Sequence, residues 1–146
     1  MINGIRPFCS KLTSLSLRHL DLITDSGMVE LFTKWELNAG LMHIDLQKCV
    51  SLGDLGLIEI LSHSADYLIT LNVNSVYGIT PDFWELLKEA KLPLLTSLNI
   101  GFLGSVDDSV VGILGKTCPS LSLLEVYGCS RCTNKAAVRK DLTVVG

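Results

Sequence analysis

Five apolar positions at offsets 0, 3, 5, 8 and 11 recur five times along this chain. The first copy is Leu12, Leu15, Leu17, Leu20, Ile23, and the second is Leu41, Ile44, Leu46, Cys49, Leu52. Leu68, Leu71, Val73, Val76, Ile79 and Leu95, Leu98, Ile100, Leu103, Val106 follow, and the last copy is Leu121, Leu124, Val126, Cys129, Cys132. The starts lie 29, 27, 27 and 26 residues apart, with no insertion inside the frame. Such a period belongs to a solenoid, whose units cannot bury their apolar faces singly and must stack on one another.

Within a unit, offsets 3 and 5 alternate as a short strand with one face buried. After offset 11 come helix-start pairs: Thr24-Asp25, Gly53-Asp54, Thr80-Pro81, Asp107-Asp108 and Thr133-Asn134. Thr80-Pro81-Asp82 is the clearest, with a capping Thr, Pro at the first helical position and an acid near the positive helix end. Apolar residues then return at helical spacing, as in Met28 and Leu31, Leu57 and Ile60, Trp84 and Leu87, and Val111 and Leu114. Gly40, Pro93 and Pro119 mark the turn back to the next strand.

The expected architecture is an α/β horseshoe of about five units, starting near residues 12, 41, 68, 95 and 121. Parallel strands would line its concave face and helices its convex face. Residues 1–146 form one repeat domain in this reading, cut from the C-terminal part of a longer protein. Residues 1–11 read as the tail of a preceding unit. After Cys132 the pattern predicts a short polar helix from Asn134 to Arg139, then a last edge strand over 142–146, with Lys135, Arg139 and Lys140 covering that end.

A shared core accounts for a hydrophobic content of 48% and a mean hydropathy of +0.42. The longest charge-free runs, 67–81 and 92–106, fall short of the roughly 18–20 apolar residues of a membrane span. The N-terminus lacks the basic and apolar regions of a signal peptide. The expectation is a soluble protein of the cytoplasm and/or nucleus with no membrane association. Fifteen acidic against twelve basic residues, without a basic stripe, argues against a nucleic-acid partner.

Cys129-Ser-Arg-Cys132 has the spacing of a redox or zinc pair. Yet every cysteine occupies a slot of the repeat: Cys9 and Cys118 at offset −3, Cys49 and Cys129 at offset 8, Cys132 at offset 11. Cysteine there acts as a small buried hydrophobe. A redox pair would open a helix, and zinc would need two further ligands nearby, but no histidine follows Cys132. Structural cysteines are therefore expected, with no metal or other cofactor. His43 and Asp45 share one strand face, with Ser14 or Ser16 on the neighbouring strand, a formal Ser/His/Asp trio without a nucleophile elbow. The pair Asp107-Asp108 reads as helix capping.

The motif L-x-x-L-x-L-x-x-C-x-x-I-T-D resembles the cysteine-containing leucine-rich repeat. Copy one supplies Cys9 and Ile23-Thr24-Asp25, and copy five Cys118-Pro119, Cys129 and Cys132-Thr133. Offset 8 departs from the pattern in three copies, where it is Leu20, Val76 and Leu103. The final stretch, from Glu125-Val-Tyr-Gly-Cys129 through Asp141 to Gly146, is similar to the C-terminal repeats of fungal excision-repair and mitotic-exit-antagonist leucine-rich-repeat proteins. Repeats of this kind are known chiefly from F-box proteins. The resemblance therefore implies a non-enzymatic module that recognises substrate for a cullin-based (SCF or similar) ubiquitin ligase. Its partners would be a ubiquitylation substrate or other protein, and a Skp1-like or elongin-C-like adaptor held by an upstream segment. The alternatives are a structural or regulatory scaffold and, remotely, a thiol redox or hydrolytic enzyme.

With odd strand offsets buried, offsets 2, 4 and 6 line the concave face and offset 7 its edge. The candidate protein-binding residues are Arg18, His43, Asp45, Gln47 and Lys48 toward one end, and Phe102, Leu123, Glu125 and Tyr127 toward the other. Aromatic and apolar side chains on a rigid face suit protein recognition. Asn72 and Asn99 are expected to pair as a side-chain ladder. His19 is placed at the concave edge and His63 at a helix end.

Overall fold

The computed structural model describes residues 10–35, 40–133 and 136–146. Among them the order is β1 (Ser14–Ser16), α1 (Asp25–Lys34), β2 (His43–Asp45), α2 (Asp54–Ser64), β3 (Thr70–Asn72) and α3 (Pro81–Leu87). There follow β4 (Ser97–Asn99), α4 (Asp108–Thr117), β5 (Leu123–Glu125) and β6 (Thr143–Val145). The six strands form one parallel sheet in sequence order. Equal offsets face each other throughout: Leu15, Ile44, Leu71, Leu98, Leu124 and Val144 make one continuous row. A slip by one residue would turn every leucine out to solvent, so the apolar frame itself holds the register. The expected α/β solenoid with a parallel sheet is the observed fold.

Burial follows the frame. Leu41, Leu46, Cys49, Leu68, Val76, Leu95, Ile100, Val106, Leu121 and Leu124 are all 0% exposed. Unit one departs from this: Leu12, Leu15, Leu17 and Ile23 are only partly buried and Leu20 is 46% exposed. Only one side of that unit meets a neighbour among the described residues, and burial in a solenoid comes from neighbours. Cys9 and the rest of the expected preceding tail lie outside the described residues.

Past each strand the chain makes the same bend. His19, Lys48, Ser75, Phe102 and Gly128, all at offset 7, have φ of 58 to 69°. Four of the five are not glycine, although the left-handed region costs such residues roughly 1–2 kcal/mol. The bend is held from the next unit: the amides of His19, Lys48, Ser75 and Phe102 donate to the carbonyls of Gln47, Asn74, Gly101 and Tyr127 at 2.9, 2.9, 3.0 and 2.6 Å. The ladder thus outruns the three-residue strands.

Helix starts use two devices. Thr24 accepts from the Gly27 amide at 3.3 Å and Asp107 from the Val110 amide at 3.1 Å, as N-caps do. Thr80 stands at the N-cap of α3 behind Pro81, but its hydroxyl does not cap that helix. It donates to Asp54 Oδ2 at 2.5 Å, while its amide donates to Asp54 Oδ1 at 2.9 Å. Asp25 takes the Gly53 amide at 2.7 Å in the same way, and Asp108 takes the Thr133 amide at 2.8 Å together with the Thr133 hydroxyl. The acid that opens α1, α2 and α4 therefore fastens offset 12 of the next unit through charge-assisted bonds.

The C-terminal end differs from expectation in one element. Asn134 and Lys135 lie outside the described residues, and residues 136–139 are not helical. Arg139 instead turns inward, donating to the carbonyls of Gly115, Cys118 (3.1 Å) and Leu121 (2.7 Å), with Nε on Asp141 at 3.0 Å. It satisfies carbonyls left open at the C-terminal end of α4, where a cation also meets the negative helix end. The run from Asn134 to Arg139 is too short to form a stable helix without packing, and Ala136, Ala137 and Val138 provide only a thin apolar stripe. The expected last strand is present as β6, anchored by buried Leu142.

Replacing Leu98 with Ala should cost about 2–5 kcal/mol in urea unfolding, since its slot is sealed on both sides. Arg139→Ala should lower stability by about 1.5–3 kcal/mol, the range for hydrogen bonds to a charged group. Arg139→Lys should recover little of that loss, because an ammonium cannot serve three carbonyls in a planar fork.

Candidate protein-binding face

The concave side of the sheet is a shallow trough of about 380 Å³, running from Ser14, Arg18 and His43 through Thr70 and Asn99 to Glu125. Its floor is polar because each inward leucine is flanked by offsets 2 and 4 pointing the other way. Toward the N-terminal end Arg18, Asp45 and Gln47 form one network. Arg18 Nη2 donates to Gln47 Oε1 at 2.5 Å and Nε lies 3.5 Å from Asp45 Oδ2. Asp45 Oδ1 also accepts the Gln47 amide at 3.1 Å. The His43 ring pairs with Thr70 Oγ1 through Nδ1 at 2.9 Å.

The formal Ser/His/Asp trio is therefore not assembled. Asp45 is engaged with Arg18 and Gln47, His43 with Thr70, and Ser14 and Ser16 make no bond to the imidazole. At the other end Phe102 and Tyr127 are 53% and 50% exposed, and Leu123 and Glu125 are half-buried on β5. Lys48 is exposed on the bend that follows β2, in the same unit as Asp45 and Gln47. His19 lies on the same bend in unit one, and His63 ends α2 with its ring tilted against Phe32. The nine candidate residues thus divide into a self-neutralised basic–acidic cluster and an aromatic–acidic one.

Asn72 and Asn99 do not pair with each other. Each uses Oδ1 to accept the amide two residues ahead, Asn74 and Gly101, at 3.0 Å in both cases. With Asp45 and Gln47 this makes three successive Asx-turns, which lead the strand into the left-handed bend. Asn74 bridges sideways to Asn99 Oδ1 at 3.2 Å and accepts the Ser75 hydroxyl at 2.8 Å. Asn74 and Ser75 are 8% and 3% exposed, so they are structural rather than available. Asp or Asn at offset 4 of units two, three and four, three residues before the left-handed residue, carries this signal in the sequence. The apolar side chains of Leu22 (93%), Val50 (43%) and Tyr77 (63%), exposed beyond the bends, were not marked by the repeat frame.

The cysteines serve the fold. Cys49 and Cys129 donate their thiols to the carbonyls of Leu17 and Ile100, at 2.9 and 3.2 Å, which are the offset-5 groups of the preceding unit. Burial pushes the Cys49, Cys118 and Cys129 thiols up from their ordinary value. Cys132 is pushed up to about 11 by burial, then by Cys129, Asp108 and Asp107. A reactive thiol needs the opposite shift. Among the described residues no group of three or more His, Cys, Asp and Glu side chains is placed to hold a metal, and no helix is long and apolar enough to cross a membrane.

Because burial lifts the folded Cys132 thiol above its ordinary value of 9.0, its contribution to stability is complete below pH 9 and is lost as pH rises toward about 11. Alkaline unfolding of the wild type should therefore be steeper across that window than in Cys132→Ala. Iodoacetamide should label the folded protein slowly at neutral pH, and unfolding should raise the rate.

No protein-family model matches the sequence. The chain is 38% identical over its whole length to "DNA repair protein RAD7" of Saccharomyces cerevisiae, covering 26% of that protein. It is 31% identical over 86% of its length to "DNA repair protein rhp7" of Schizosaccharomyces pombe, covering 22% of it. The chain thus spans about a quarter of these relatives. Among solved structures, one from a crystal structure of a Rad7 and Elc1 complex in yeast superposes with a TM-score of 0.83 at 38% identity, over 92% of this chain and 33% of that one. Repeat, register and similarity agree: the chain is a leucine-rich-repeat solenoid homologous to the RAD7 and rhp7 DNA repair proteins.

Proposed function

We propose that this chain is a protein-recognition module whose concave face holds a partner within a ubiquitin-ligase-related DNA repair assembly. The observation that supports the reading most is the relative crystallised with Elc1, an elongin-C-type adaptor, whose fold superposes on nearly all of this chain. The trough supports it as well, because it lays polar side chains over rigid strand backbone, with Phe102 and Tyr127 half-exposed on the turns past β4 and β5. In this reading the repeats present a ubiquitylation substrate or regulatory protein, and the adaptor is held by a segment upstream of them. In this reading the role is non-enzymatic, which the similarity to leucine-rich-repeat repair proteins supports. In this reading the protein acts in the nucleus, where DNA repair takes place.

The test is affinity capture from lysate with mass spectrometry, comparing wild type with folded Arg18→Ala and Tyr127→Ala variants. Loss of a specific protein is expected in at least one variant, with a drop of about thirtyfold if Tyr127 is a hot spot worth about 2 kcal/mol. An identical set of captured proteins in all three would remove the concave face from the reading. A second arm mixes this chain with the elongin-C-type adaptor and follows elution by size. No co-elution is expected, and a stable complex would move the adaptor contact onto the repeats.

A further inference from the structure

We propose that Phe102, Tyr127 and Glu125 form a receptor for a cationic side chain, so that the occupant of this end of the trough is a lysine- or arginine-bearing segment of a partner protein. The proposal rests on the concave-face reading and adds the chemistry of what binds there.

The argument begins with an unmatched charge. Asp45 and Glu125 occupy the same offset on β2 and β5. Asp45 is neutralised by Arg18 and accepts the Gln47 amide. Glu125 makes no ion pair and no side-chain hydrogen bond among the described residues, although it is half-buried. Its neighbours in the sheet are Asn99 and Val145, and neither is a cation. The arginines of this end of the chain are committed elsewhere, Arg131 to Asp107 and Arg139 to Asp141 and the carbonyls of Cys118 and Leu121. A half-buried carboxylate without a counter-ion is waiting for one from outside.

The aromatic groups beside it are placed by the fold at some cost. Phe102 sits at φ 59°, a conformation that disfavours a bulky residue, and its ring is still 53% exposed. The ring leans across the next unit: a Cβ added to Gly128 would stand 2.3 Å from Phe102 Cδ1. Glycine at that position therefore leaves the space the ring occupies. This brings Phe102 over the bend that follows Tyr127, whose carbonyl accepts the Phe102 amide at 2.6 Å. Tyr127 in turn follows Glu125 by two residues, in the turn that leaves β5.

Two exposed rings next to a lone carboxylate provide both components of cation recognition, a negative aromatic face and a counter-charge. An acidic segment would be repelled. A purely apolar one would bury Glu125 unpaired, which is unfavourable. The opposite end of the trough, with Arg18 closed onto Asp45 and Gln47, has no such opening.

The experiment is an NMR titration of the 15N-labelled chain with an acetylated, amidated Gly-Lys-Gly-Arg-Gly peptide. The same peptide with norleucine at both charged positions, and one with glutamate, serve as controls. The expected result is a set of saturable amide shifts confined to 101–102 and 125–128, with a Kd on the order of 1 mM. Affinity should weaken severalfold as salt rises from low to about 0.3 M. Glu125→Gln, which keeps the shape of the side chain, should weaken it about fivefold, and Phe102→Ala by a similar factor. Equal shifts from the norleucine or glutamate peptide, no shift at about 10 mM basic peptide, or an unchanged titration with Glu125→Gln would overturn the proposal. The protein captured from lysate separates this failure from that of the broader reading. If Tyr127→Ala abolishes its capture while Glu125→Gln leaves or strengthens it, the concave face binds protein but does not read a cation.

Discussion

The structure depends on one constraint: every backbone group at a strand or bend must find its partner at the same or adjacent offset of the next unit. Strands of three residues bury too little to hold a register alone. The ladder continues beyond them into the bend, so that four of the five left-handed turns are aligned by donor and acceptor, and the fifth, at Gly128, is a glycine. Once that alignment exists, each leucine of the frame meets its counterpart. The core is then a set of rows, with stability built up from nearest-neighbour contacts.

The same constraint explains why polar residues of the repeat are mostly unavailable for binding. Asp45, Asn72 and Asn99 steer the chain into its bend, and Asp25, Asp54 and Asp108 tie each helix start to the next unit. Cys49 and Cys129 do a similar task with thiols at offset 8. What is left over is sparse, and that is informative. A side chain that the repeat does not use, such as Glu125 or the Phe102 ring, stands out against its own paralogous positions in the other units. The solenoid provides its own internal control.

Much of the fold was legible because burial in a stacked array is translational. Leu98 and Leu71 must do the same thing, so a pattern seen twice is a contact in space. The five parallel strands, their register, the core rows and the cysteine slots all follow from that. Polar bonding was not legible to the same degree. A carboxylate such as Asp54 can cap its own helix or reach the neighbouring unit, and sequence spacing does not choose between them. The helix expected from Asn134 failed for a related reason: Arg139 found three carbonyls that exist only once α4 has ended beside it. For the candidate face, the repeat placed the residues on one side of the sheet. It could not say that Arg18 would cancel Asp45 and that nothing would cancel Glu125.

Pro81 gives the array an uneven joint. It stands where Asp25, Asp54 and Asp108 reach forward, so unit three sends no carboxylate to unit four. That junction has instead a neutral bond from the Trp84 indole to the Ser105 hydroxyl at 3.0 Å, beside the shortest of the four helices. Neutral bonds are about half as strong as charge-assisted ones, and local stability in a linear array is set junction by junction. The forward carboxylate clasp is therefore a device of three junctions out of four, and the helix of unit three meets the next unit through an aromatic side chain instead.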